Sequence, residues 1–188
     1  MDSIAKAFQE VRRTDFLPQE VQELASLDTA LPIGQGQTNS QPSVVAFMLE
    51  KLEAKEGEKV LDIGAGSGWT SALLSYILGS KGKVVGIELV SELTERAKKN
   101  LAQMQNVLFL CDDGSKGYSS AAPYDHILVS AALYKKELPK AWKEQLKDKG
   151  SIVVPIENSI WVFTKKGDKF DEKEYKGFVF VPFITKAQ

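Results

Sequence analysis

Residues 62–68 read DIGAGSG, with glycines at 64, 66 and 68 placed directly after an apolar run and before a helical pattern. Glycine at such a junction lets the chain turn tightly and lets a ligand approach main-chain atoms closely. Glu88 closes the next apolar run, where a carboxylate can accept hydrogen bonds from two ribose hydroxyls. Asp113 follows the third run, where it can accept from an adenine amino group. Each acid alone reads as an ordinary loop residue. Asp62, Glu88 and Asp113 at successive strands, together with the glycine turn, point to a bound nucleoside, because ligands of open parallel sheets sit at the strands' carboxyl ends. A dinucleotide is the rival ligand. It requires a helix start aimed at a pyrophosphate, and Trp69, directly after Gly68, crowds that position.

A second polar run, LPIGQGQTNSQP at 31–42, lies well upstream and carries no charge. Thr38, Asn39 and Ser40 are neutral hydrogen-bond donors. Such donors orient an anion without the tight ground-state grip of a lysine, which would work against rate. Helix capping explains a serine or asparagine near Pro42, but not so long a run. The only histidine, His126, sits inside YDHILVS without a GxSxG partner motif and reads as structural. Trp142 and Trp161 read as packing residues. The single cysteine, Cys111, reads as a buried strand thiol; it permits no disulfide within the chain and no thiolate metal cluster, so no metal is expected.

The elements that must position these residues follow from periodicity. Helical patterns cover roughly 2–13 and 18–27, and a third helix starts near Pro42, whose missing N–H is harmless in a first turn. Its Val45, Met48, Leu49 and Leu52 share one face, and Gly57 ends it. KVLDI, KVVGIE, NVLFLC, YDHILVS and SIVVPI read as strands. Between them lie helices over 69–78, from an N-cap at Ser91 with Leu93, Ala97, Leu101 and Met104 on one face, and near 138–147. This alternation predicts an α/β fold, a doubly wound and mostly parallel sheet with added N-terminal helices. SIWVFTK and YKGFVFVPF are expected to close its edge as an antiparallel pair turning at Gly167–Asp168.

The length of 188 residues fits one domain better than two. Basic and acidic residues number 24 and 25 and are well mixed, so there is no footprint for nucleic acid or a membrane surface. MDSIAKAFQEVRR is charged and amphipathic rather than a signal peptide or a membrane span. A cytoplasmic monomer is expected.

PIGQGQTNSQP, VLDIGAGSG, DDGSKG followed by APYD, and EQLKDKGSIVVPI occur in an order that resembles the protein-L-isoaspartate O-methyltransferases. The resemblance runs from about residue 12 to Pro182, and the GQT-x-S-x-P segment is its most specific part. It implies a Rossmann-like enzyme that uses S-adenosylmethionine to methylate the free carboxylate of L-isoaspartyl residues, and less well of D-aspartyl residues, in damaged proteins. It implies that Ser40 is the active-site serine, with Thr38 beside it, and that Gln37 to Ser40 line the space between donor and acceptor. Asp62, Gly64, Gly66, Gly68, Glu88, Asp112 and Asp113 would surround the donor. An acceptor carboxylate is already ionised at neutral pH and needs no general base; positioning in a dry cleft is then the main task.

The chain departs from the family pattern in three places. Asp112 stands where a glycine is common, Gln35 where a histidine can occur, and Leu133, Tyr134, Lys135 and Lys136 replace a run of small residues. The two lysines are expected to favour acidic sequence around the acceptor. Methylation of another acceptor and a non-catalytic donor-binding protein remain the alternatives.

Overall fold

The computed structural model describes residues 3–186. Helix α1 (Ser3–Glu10) leads through two 3-10 turns, Arg13–Phe16 and Gln19–Leu24, to a small hairpin of β1 (Leu31–Gly34) and β2 (Gln37–Asn39). Then follow α2 (Pro42–Leu52), β3 (Lys59–Ile63), α3 (Trp69–Leu78), β4 (Lys83–Glu88), α4 (Ser91–Asn100) and β5 (Val107–Cys111). The chain ends with β6 (Tyr124–Val129), α5 (Lys140–Gln145), β7 (Leu146–Ile156), β8 (Ser159–Lys166) and β9 (Lys169–Lys176).

The main sheet runs β5-β4-β3-β6-β7-β8-β9. Its pairs from β5 to β7 are parallel, and β8 and β9 add antiparallel neighbours. Strand order reverses at β3, which pairs with β4 on one side and β6 on the other. Side chains alternate across each strand. Val60 therefore packs with α1, α2 and α3 in one apolar layer, while Leu61 and Ile63 pack with Trp142 of α5 in the other. Asp62 shares the parity of Val60 and so is delivered, fully buried, to the α3 side.

In α2, Val45, Met48, Leu49 and Leu52 form the buried face that their spacing predicts, with Pro42 as the first helical residue. The helix stops at Leu52 with Glu53 in a left-handed cap, ahead of Gly57. In α4, Ser91 is the first helical residue rather than the cap, a one-residue offset. The pattern over 18–27 forms a 3-10 turn, and α5 is only six residues long because β7 already begins at Leu146.

Two further differences concern strands. Within the run LPIGQGQTNSQP, residues 31–39 form the β1–β2 hairpin. The closing antiparallel pair does turn at Gly167, but the partner of β8 is the charged segment KFDEKEYK rather than YKGFVFVPF. Strand β9 lies at the sheet edge, where charges discourage pairing with other chains, so its sequence carries no apolar alternation.

Candidate active site

A cleft opens at the carboxyl ends of β3, β4 and β6, the place where strand order reverses and where open α/β sheets bind ligands. Its floor is the turn after β3. Gly64 and Ala65 N–H both donate to the Ile87 carbonyl, at 2.9 and 3.2 Å, and Ser130 N–H donates to the Ile63 carbonyl at 2.9 Å. Gly68 completes the turn at φ 91°. A β-carbon there would lie 2.9 Å from Leu101 Cδ1 and 3.2 Å from Ala97 Cβ, so the left-handed backbone calls for glycine and the close passage of α4 reinforces it.

Glu88 lines the cleft with its side chain largely buried. Its Oε2 accepts from Gly66 N–H at 2.8 Å and its Oε1 from Val90 N–H at 2.9 Å. Burial pushes this carboxyl above its ordinary pKa, and the main-chain donors draw it part of the way back. Each oxygen keeps a lone pair for a further donor.

Asp62 lies behind the floor rather than in the cleft lining. Its Oδ2 accepts from Thr70 Oγ1 and Ser71 Oγ, both at 2.7 Å, which fixes the first turn of α3. Burial raises its pKa to about 6, against the hydroxyl bonds of Ser71 and Thr70 and with help from the charge of Glu88. Among the described residues, three buried side-chain atoms have no hydrogen-bond partner: Asp62 Oδ1, Ser67 Oγ and Trp69 Nε1. All three belong to the segment that makes the floor, and Ser67 and Trp69 line the cleft.

The facing wall is the β1–β2 hairpin, which brings Gln37, Thr38, Asn39 and Ser40 to the same cleft as Gly64, Gly66 and Glu88. Its tip, Gly34-Gln35-Gly36, takes three consecutive left-handed conformations at φ 94°, 56° and 69°. Asn39 is buried, and its Oδ1 accepts from Arg13 Nε at 2.8 Å, so this side chain braces the wall.

The third side is a segment that sequence reasoning read only as a strand. Ala132 N–H donates to the Val181 carbonyl and Phe183 N–H to the Ala132 carbonyl, both at 2.8 Å. These bonds bring Val181 to Ile184 over the cleft. Phe183 packs edge-on against Trp142 with centroids 5.7 Å apart. Lys186 then reaches the acids after β5: its N–H donates to Asp113 Oδ2 at 3.1 Å and its Nζ to Asp112 Oδ1 at 2.8 Å. Asp113 Oδ1 also receives the amide and hydroxyl of Ser115 at 3.0 and 2.7 Å. Burial raises the Asp113 pKa, but these donors outweigh it and the net shift is downward. Asp112 and Asp113 are thus engaged beneath the C-terminal segment, outside the cleft lining, as is Gly68.

The loop after β6 narrows one expectation. Lys136 forms an ion pair with Glu172 at 2.5 Å and lies 3.8 Å above the Trp161 ring, so it is committed to the β8–β9 edge. Both lysines are exposed, and Lys135 is the one without that commitment. His126 sits away from the cleft, with Nδ1 2.7 Å from Ser151 Oγ and Nε2 3.1 Å from Glu58. That Ser–His–Glu line is a brace: Ser151 is buried within a strand and donates to the Leu52 carbonyl at 3.1 Å. Cys111, expected to be buried, is exposed at the edge strand β5.

Comparison with known proteins points to one family. The family model for protein-L-isoaspartate(D-aspartate) O-methyltransferase matches residues 1–188. A protein-L-isoaspartate O-methyltransferase of Ignicoccus hospitalis is 42% identical, with 97% of this chain and 89% of the relative covered. A second, from Archaeoglobus fulgidus, is 41% identical over 96% of this chain and 83% of the relative. A solved protein-L-isoaspartate O-methyltransferase superposes with a TM-score of 0.90 at 33% identity; 97% of this chain is covered, but it spans only 61% of that longer chain. A Plasmodium falciparum structure, described as a putative enzyme of this kind in complex with S-adenosyl-L-homocysteine, shares the fold, with a TM-score of 0.85 at 21% identity over 98% of this chain and 91% of that one. The chain belongs to the protein-L-isoaspartate(D-aspartate) O-methyltransferase family.

Proposed function

We propose that this chain is a repair methyltransferase that uses S-adenosylmethionine to methylate the free carboxylate of L-isoaspartyl and D-aspartyl residues in damaged proteins. The observation that carries this reading is the juxtaposition, in one cleft, of the Glu88-bearing floor and an uncharged wall that presents Thr38 and Ser40. No described helix is long and apolar enough to cross a membrane. A cytoplasmic monomer acting on protein acceptors is part of this proposal, and a net charge of −1 provides no basic footprint for nucleic acid.

The floor fits the donor. Unpaired buried polar atoms each cost about 1–3 kcal/mol, and Ser67 Oγ and Trp69 Nε1, both in the cleft lining, offer donors to a ligand that carries a carboxylate. Glu88 would receive the ribose hydroxyls. Asp113 would receive the adenine amino group if the Lys186 amide yields its place. When bound, the donor supplies a methyl group on a positively charged sulfur. The chain's own contribution is positional. Thr38 and Ser40 would hold the acceptor carboxylate by neutral hydrogen bonds, Gln37 would border both ligands, and Val181 to Ile184 would keep water out. Because that carboxylate has a pKa near 4, no residue needs to take a proton, and the absence of a histidine from the described cleft lining is in keeping with this.

Tritiated methyl transfer to an isoaspartyl peptide, compared with its normal aspartyl twin, tests the reading. Label in the isoaspartyl peptide alone is expected. Label in neither, with S-adenosylhomocysteine still bound, would favour another acceptor or a non-catalytic role. A separate test addresses the floor. Glutamine at position 88 can keep only one of the two main-chain bonds and sets an amide donor against an N–H. Glu88→Gln is therefore expected to weaken S-adenosylhomocysteine binding by about 10- to 100-fold in calorimetry. Parental affinity would remove Glu88 from the donor site.

A further inference from the structure

Arg13 carries a charge in a place where nothing charged is bonded to it. It is 7% exposed, and no ion pair among the described residues includes it. Burying a guanidinium costs several kcal/mol unless its donors are met, and here neutral oxygens meet them. Nε donates to Asn39 Oδ1 at 2.8 Å. Nη1 donates to the carbonyls of Ala25 at 3.4 Å and Leu27 at 3.0 Å. Nη2 donates to those of Thr29 at 2.7 Å, Asn39 at 3.2 Å and Ser40 at 3.0 Å. The guanidinium carbon also lies 5.3 Å from the centroid of the Trp69 ring, part of the cleft floor.

These bonds join two segments, 25–29 and 39–40, that flank the hairpin in sequence. A hairpin of four- and three-residue strands is marginal on its own, so its place over the cleft must come from outside. Arg96 Nη1 steadies the Ile33 carbonyl at 2.9 Å, on the incoming strand. Asp28 receives Ser43 N–H at 2.8 Å and Gln41 Nε2 at 3.0 Å, at the start of α2. Between these braces, Ser40 is held through its own carbonyl by Arg13. We infer that Arg13 is a positioning residue for methyl transfer: from behind the wall, its planar fork fixes the backbone of Asn39 and Ser40 and so aims the Ser40 hydroxyl at the acceptor. The inference rests on the reading of Ser40 as acceptor-facing. A lysine would keep the charge, but its compact ammonium cannot span both segments with the geometry of a guanidinium.

Arg13→Lys, Asn39→Ala and Ser40→Ala are compared for kcat and KM on an isoaspartyl peptide, for S-adenosylhomocysteine affinity and for melting temperature. Arg13→Lys is expected to lower kcat by about 10- to 100-fold, the scale of misplacing a group by about 1 Å, with donor-site affinity within about threefold of the parent. If the lysine variant melts below the assay temperature, Asn39→Ala probes the same contact from the wall, and loss of kcat at near-parental melting temperature and affinity supports the role. Parental kcat in whichever of these two variants is folded overturns the inference, whatever Ser40→Ala does. A loss of S-adenosylhomocysteine affinity as large as the loss of kcat also overturns it. Ser40→Ala at parental kcat, beside an impaired Arg13→Lys, instead refutes the acceptor role of Ser40 and leaves Arg13 holding the wall.

Discussion

Ser40→Ala is expected to lower kcat on an isoaspartyl peptide by about 10- to 150-fold, the loss of one hydrogen bond to a charged group at about 1.5–3 kcal/mol. The affinity for S-adenosylhomocysteine is expected to stay within about threefold. Ser40 stands at the end of β2, half-buried in the wall, with its carbonyl held by Arg13 Nη2 at 3.0 Å. Its side chain is not the acceptor of the methyl group, since the substrate brings its own ionised oxygen. The shape of the pH profile between about 6 and 8 is therefore expected to survive the substitution, because carboxylates of pKa near 4 do not titrate there. A serine acting with a base would behave otherwise: its loss would change the profile, but the only histidine is bonded to Ser151 and Glu58 elsewhere in the sheet. Parallel loss of kcat and of donor-site affinity would place Ser40 with the donor rather than the acceptor.

The parts of this site that were legible in the sequence are those set by local pattern. Gly64, Gly66 and Gly68 announce a turn because glycine takes left-handed backbone without steric cost, and Val45, Met48, Leu49 and Leu52 announce a face because helical period repeats it. The hairpin hid because its strands are shorter than any window in which alternation can be recognised, and because Gln35 adopts φ 56° between two glycines without a sequence sign of it. Strand β9 hid for the opposite reason: its charges answer to solvent on the sheet edge rather than to a core. Arg13 could not be told from Arg12, its neighbour, which makes a surface ion pair with Asp15 at 2.8 Å. What separates them is the return of the chain at 25–29 and 39–40, a tertiary fact. The engagement of Asp113 by Lys186 likewise joins residues 73 apart in sequence, beyond the reach of motif reading.

Asp62 offers a test in which the floor is read through stability. Its pKa of about 6 in the folded chain, raised chiefly by burial, stands above the ordinary 3.8. Between these values the folded state holds more protons than the unfolded state, so stability is expected to fall as pH rises from about 4 to 6. At 1.36 kcal/mol per pKa unit, the fall amounts to about 3 kcal/mol at most and is complete by about pH 7. Asp113, Asp125 and Asp28, all shifted downward, act in the opposite sense and in a lower window, losing their contribution as pH drops below about 4. Glu88 is shifted upward and adds a fall of its own, but it is present in parent and variant alike. Asp62→Asn keeps an oxygen for the hydroxyls of Thr70 and Ser71 and removes the ionisation. Its urea-unfolding free energy is expected to lack most of the decline seen in the parent between pH 4.5 and 7. Curves that stay parallel across this range would mean that Asp62 titrates normally and that the floor stores no such strain. If the curves do diverge, the ionised carboxylate is retained at neutral pH at a cost to the fold. That cost lies behind the floor, where Asp62 Oδ2 holds the hydroxyls of Thr70 and Ser71 and so fixes the turn that carries Ser67 and Trp69 to the cleft.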